Sequence, residues 1–159
     1  MEPAVLIAWF WIGLAILVFP IQLFITAPYG RHTKSSWGPL MDNRWGWTIM
    51  EIVSPLVFTT LFLIGPQDKS LFHWIAFGCW NLHYLNRSLI YPWRTKTSNK
   101  KIPVTIVGSA IFFNLINAGL NGFPGILTLT SSLFLLIYFW MALIIGMGIN
   151  FQADNILCL

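Results

Sequence analysis

The chain has 159 residues, 57% of them hydrophobic and 9% charged, against about 25% charged in an ordinary soluble domain. With nine tryptophans, thirteen phenylalanines and a mean hydropathy of +0.71, its apolar material exceeds what one small core can hide, so the excess must face lipid. Low charge excludes a disordered chain, the lack of a glycine period excludes a collagen-like one, and two lone cysteines, Cys79 and Cys158, exclude a disulfide scaffold.

The few charged side chains punctuate five apolar runs, which predict an all-α, multi-span transmembrane bundle forming a single domain over 1–159. Ala4 to Thr26 is the first run. It is too long for the apolar region of a signal peptide, about 7 to 15 residues, and is preceded only by Glu2 where basic residues are needed. The second covers about 45–64 and carries Glu51 near its start. The third covers about 71–91, with His73, His83 and Arg87 in otherwise apolar sequence. No charge occurs between Lys101 and Asp154, and the run Asn121-Gly122-Phe123-Pro124-Gly125 favours a turn that divides this stretch into spans at about 104–120 and 126–150.

Lysines and arginines are retained in cytoplasmic loops, which sets the orientation. Arg31, Lys34 and Arg44 lie between spans one and two, and Arg94, Lys96, Lys100 and Lys101 between spans three and four, whereas the opposite loops hold only Lys69. The amino terminus is therefore expected to be external or lumenal, and the basic loops and carboxyl end cytoplasmic. Glu51, Arg87, Tyr91, Asn150 and Asp154 then fall in the cytoplasmic half of the membrane. An ionisable group inside a span costs at least about 2.5 kcal/mol on insertion scales, so each needs a partner or a cavity.

Helical spacing groups the polar residues. Tyr84, Arg87 and Tyr91 stand at i, i+3 and i+7, Asn114, Asn117 and Asn121 repeat that spacing on span four, and Gly146, Asn150 and Asp154 stack at i, i+4 and i+8 on span five. These stripes either line a polar groove or, for the asparagines, glue helices together. His73, near the external end of its span, suits a headgroup position. No histidine or cysteine pair has a metal spacing, and no nucleotide-binding glycine motif or nucleophile elbow is present. The lysines of the basic loop suit topogenic charge, anionic lipid or a cofactor phosphate equally.

At these residues the sequence resembles the steroid 5-alpha-reductase family. The strings are APYGRH at 27–32, Glu51 in span two, HYLNR at 83–87 followed by IYPWR at 90–94, and GMGINFQADNIL at 146–157, in that order along the chain. The resemblance, to a bacterial-type homologue, implies a seven-helix membrane oxidoreductase that uses NADPH to reduce the 4,5 double bond of a 3-oxo-4-ene steroid. It implies catalytic roles for Glu51 and Tyr84, which would hydrogen-bond the 3-ketone and draw electron density from the alkene. A glutamate at lipid depth is expected to keep its proton and donate. Asn150 and Asp154 match nucleotide-contacting positions, and Tyr29, Arg87, Tyr91, Arg94 and Lys96 lie at or beside positions lining the cofactor's path. An arginine grips a phosphate through two parallel bonds and a lysine as a point charge, so Arg94 is the stronger candidate of that pair.

The family continues beyond the aspartate helix through a basic segment and two further helices, so the resemblance implies that this chain lacks about the last third and one wall of the cofactor pocket. Expected partners are a steroid-like enone and membrane lipid, with neither nucleic acid nor metal. Two other readings stay open: a truncated, non-catalytic membrane protein, and a membrane methyltransferase of the isoprenylcysteine type. The latter would need S-adenosylmethionine and gives Glu51 and Tyr84 no evident task.

Overall fold

The computed structural model describes residues 3–24, 35–66, 68–97 and 99–122, and these are mostly helical. Helix α1 is Pro3–Phe24. A turn of 3₁₀ helix at Ser35–Trp37 leads into strand β1 (Leu40–Asp42) and helix α2 (Asn43–Ile64). Helix α3 (Leu71–Leu85) passes through a π-helical segment, Asn86–Ile90, into the short α4 (Tyr91–Arg94). Strand β2 (Lys101–Pro103) and helix α5 (Val104–Gly122) follow. Four of the expected apolar runs are thus helical within a few residues of their predicted bounds; the run at 126–150 lies outside the described residues. Among the described residues, two helices, α2 and α5, are long and apolar enough to cross a membrane.

The strand pair was not expected from the sequence. β1 and β2 are antiparallel, with Leu40 opposite Pro103, Met41 opposite Ile102 and Asp42 opposite Lys101. The ladder extends through the Asn43 N–H to the Lys100 carbonyl at 3.0 Å and the Val104 N–H to the Pro39 carbonyl at 2.8 Å. It ties together the segments that lead into α2 and the helix after β2, so those two helices start at one end of the bundle. Asp42 also caps α2, its carboxylate accepting from the backbone N–H groups of Arg44 (2.9 Å) and Trp45 (3.2 Å), which satisfies orphan donors and places negative charge at the positive end of the helix dipole.

Helices α2 and α5 run parallel, with Gly46 beside Val107 at one end and Phe58 beside Gly122 at the other, while α3 returns antiparallel; α2 packs chiefly on α5 and next on α3 and the π segment. The buried face of α2 repeats at three- and four-residue steps through Asn43, Gly46, Met50, Glu51, Ser54, Pro55, Phe58 and Phe62. Met50, Ile102 and Val107 form one apolar cluster near the strands, and Phe58, Phe62 and Ala118 form a second at the far end. Two glycines permit the close approach. A Cβ on Gly46 would lie 2.5 Å from Ile102 Cγ2, and one on Gly122 3.0 Å from the Phe58 carbonyl oxygen, as small residues allow at membrane helix crossings. Helix α1 touches α5 through Trp11, whose ring lies 5.5 Å from Phe113 and 6.2 Å from Phe112.

The π segment has a local cause. Pro92 has no N–H and its ring crowds the carbonyl four residues back, so a regular α-helical ladder cannot pass. The backbone widens instead, with the Tyr91 N–H bonded to the Asn86 carbonyl five residues earlier. The Ser88 carbonyl, deprived of its i+4 donor, accepts the Thr48 hydroxyl of α2 at 2.9 Å. Sequence spacing alone does not show this widening, which shifts the register of everything beyond residue 85.

Candidate active site

Along the α2–α3 interface, side chains pair in a regular antiparallel ladder. Tyr91 meets Trp47 edge to face at 5.6 Å, Arg87 meets Glu51, Tyr84 meets Ser54, and Phe58 stacks on Trp80 at 4.7 Å. Beyond them the Thr59 hydroxyl donates to Asn81 Oδ1 at 2.9 Å. The stripe of Tyr84, Arg87 and Tyr91 predicted from spacing therefore does face one neighbour.

Glu51 stands eight residues into α2, about 12 Å from its start at 1.5 Å per residue. Its side chain is 10% exposed and that of Arg87 19%. Arg87 donates through both Nε (3.2 Å) and a terminal nitrogen (2.9 Å) to the same oxygen, Oε1. Its guanidinium also lies over the rings of Trp47 (5.4 Å) and Tyr91 (5.9 Å), whose negative faces attract a cation more strongly where water is excluded. The partner each charge needed is thus the other. In this arrangement Glu51 accepts at Oε1 from a permanently charged guanidinium.

Tyr84 lies beside Ser54 and Asn117 and within electrostatic reach of Glu51 and Arg87. Ser54 is fully buried and its Oγ has no hydrogen-bond partner among the described residues, so its contact with the phenol is one of proximity. The Tyr84 ring packs 5.0 Å from Trp80. From α5, Asn114 donates to the Met50 carbonyl at 2.7 Å, the interhelical role that the glue reading assigns to it, and Asn121 donates back to the Asn117 carbonyl at 2.8 Å.

The remaining expected site residues fall in two groups. Arg94 and Lys96 are exposed at the basic end, with Lys100 just before β2 and Lys101 its first residue. Arg44 and Trp93 meet there, the guanidinium 5.7 Å from the ring, and Trp45 closes on Trp93 at 5.4 Å. Accessible cationic donors are what nucleotide phosphates require, so the chemistry of this end fits a phosphate-bearing cofactor such as NADPH. Tyr29, Asn150 and Asp154 lie outside the described residues. Among the described residues, no group of three or more histidine, cysteine, aspartate or glutamate side chains is placed to hold a metal ion. His73 belongs to the opposite end, where its Nδ1 accepts the Ser70 N–H at 3.1 Å at the start of α3.

Spacing singled out neither Ser54 nor Trp47, although both lie within four residues of Glu51 on the same helix face. Serine and tryptophan within an apolar span carry no distinctive signal. Position relative to Glu51 is the cue that could have found them.

No known family model matches the chain. Curated relatives do. The chain is 36% identical over 104 residues to Steroid 5-alpha-reductase DET2 of Arabidopsis thaliana, a match covering 59% of this chain and 38% of that protein. It is 33% identical to the protein of the same name from Gossypium hirsutum, covering 62% and 39% of the two chains, and 32% identical to that of Solanum lycopersicum, covering 70% and 45%. The chain thus spans less than half the length of these relatives. Their matches support the family resemblance carried by the ordered motifs.

Proposed function

We propose that this chain carries the ketone-binding part of a membrane reductase that uses NADPH to reduce the 4,5 double bond of 3-oxo-4-ene steroids. The observation that carries the reading is the meeting of Glu51, Tyr84 and Arg87 between α2 and α3, at depth in the bundle and below a basic rim. As hydride adds to the far carbon of a conjugated enone, negative charge grows on the ketone oxygen, and donors fixed in advance at that oxygen lower the barrier. Tyr84 is a neutral donor of suitable strength. Glu51 can donate only with a proton on its carboxyl group. With the fork in place, Glu51 holds Arg87 and Tyr91 in position and Tyr84 is the donor.

NADPH supplies the hydride when bound. Arg94 and Lys96 are proposed to hold its phosphates, with Arg87, Tyr91, Tyr29, Asn150 and Asp154 along its path. Positioning of the alkene against the donor supplies much of the remaining acceleration. The proposed setting is a single integral-membrane domain of five spans, with the amino terminus external or lumenal and the basic loops cytoplasmic. Outward-facing Phe10, Leu17, Leu56, Ile64 and Leu82, each more than 50% exposed, support a lipid-facing surface.

The test is NADPH oxidation coupled to a 3-oxo-4-ene steroid by the purified chain and by its Glu51→Gln and Tyr84→Phe variants. Loss of turnover in Tyr84→Phe, with folding retained, is the expected result. Unchanged reduction in both variants would end the assignment.

A further inference from the structure

We propose that Ser54, held in place by Asn114, is a positioning residue that directs the single hydrogen of the Tyr84 hydroxyl toward the ligand; this rests on the reading of Tyr84 as the ketone's donor. A serine inside a helix ordinarily turns its hydroxyl back to the carbonyl four residues earlier. Thr60 does this on the same helix, donating to the Leu56 carbonyl at 2.8 Å. Ser54 does not. Its corresponding acceptor is the Met50 carbonyl, which already receives the Asn114 side-chain amide at 2.7 Å besides the helical N–H of residue 54. A carbonyl oxygen has two lone pairs, and both are taken. The Glu51 carbonyl, which Pro55 leaves without a helical donor, is the other acceptor in reach, of the kind Ser109 uses at Ile106, and Ser54 does not donate to it either.

The Ser54 hydroxyl is left fully buried with no partner in its own helix, and Tyr84 stands opposite it in the antiparallel register that the Glu51–Arg87 and Phe58–Trp80 pairs set on either side. A phenol has one hydrogen and two acceptor sites. When Ser54 donates to the phenol oxygen, the phenol's hydrogen must point elsewhere, and a donor whose own oxygen accepts a bond is polarised to donate more strongly. Ser54 thereby converts Tyr84 from a hydroxyl of undefined direction into an aimed donor. Asn114 acts one step further out, by occupying the carbonyl four residues before Ser54.

The experiment uses the full chain in detergent micelles with ¹³Cζ-labelled tyrosine, the Tyr84 resonance being assigned by its loss in Tyr84→Phe. Ser54→Ala is expected to move the Tyr84 resonance and leave the other tyrosines in place, Ser54→Thr to restore it, and Asn114→Leu to move it as Ser54→Ala does. An unmoved Tyr84 resonance in Ser54→Ala overturns the inference. If Ser54→Ala disturbs every tyrosine, the near-isosteric Ser54→Cys decides by the same criterion. In parallel, the ratio of affinities for testosterone and its 3-deoxo analogue is expected to fall about threefold to tenfold in Ser54→Ala, the size of one hydrogen bond. A merely structural role would weaken both ligands equally. A ratio lowered by Tyr84→Phe but untouched by Ser54→Ala overturns this inference alone, whereas a ratio untouched by Tyr84→Phe overturns the reading beneath it as well.

Discussion

Removing Arg87 alone should destabilise the bundle more than removing Arg87 and the Glu51 charge together. Arg87→Met leaves the Glu51 carboxylate, 10% exposed, without the fork that now reaches Oε1 at 2.9 and 3.2 Å. Breaking a buried pair from one side costs about 3–5 kcal/mol, whereas replacing both partners by neutral groups is often close to neutral. Because the Arg87 side chain is 19% exposed, water relieves part of the penalty and the lower end, about 3 kcal/mol, is expected. At about 2–4 °C per kcal/mol for a chain of this size, that corresponds to a fall in Tm of about 6–12 °C. Thermal unfolding in detergent micelles, followed by circular dichroism, measures it. Glu51→Gln with Arg87→Met should recover most of the loss, since a neutral amide replaces the stranded charge. A single variant as stable as the parent, or a double variant no better than the single, would refute the account of a buried, mutually dependent pair.

Gly122→Ala should cost about 1–3 kcal/mol, because its Cβ would meet the Phe58 carbonyl and the Leu61 side chain at 3.0–3.2 Å, while Gly108→Ala, with open space around it, should be neutral or stabilising; Tm comparison of the two checks this. Asn114→Leu should cost about 0.6 kcal/mol and less than about 1.7, the range of interhelical side-chain bonds in membranes, again read from Tm. In a background lacking the native cysteines, Asp68→Cys should react with an impermeant maleimide from the external side and Lys100→Cys only after permeabilisation. Both side chains are exposed, at opposite ends of the bundle, and the reverse pattern would invert the proposed orientation.

The apolar runs and the charges between them determined most of the helices by themselves, since length and hydropathy are local properties that a bilayer makes decisive. They also placed Tyr84, Arg87 and Tyr91 on one face, and led to the expectation that the two basic loops share one side. The strand pair itself was illegible, because three residues bonded to three others sixty positions away leave no periodic pattern. The π segment was likewise hidden, though Pro92 announces in the sequence that some carbonyl must find another donor. Only the tertiary structure decided who partners whom. Glu51 and Arg87 each required a counter-charge, but that they satisfy one another, and that Asn114 occupies the carbonyl Ser54 would otherwise use, depends on how α2 sits against α3 and α5. A sequence fixes the demand of each polar group for a partner; the packing of helices in three dimensions fixes which partner lies within reach.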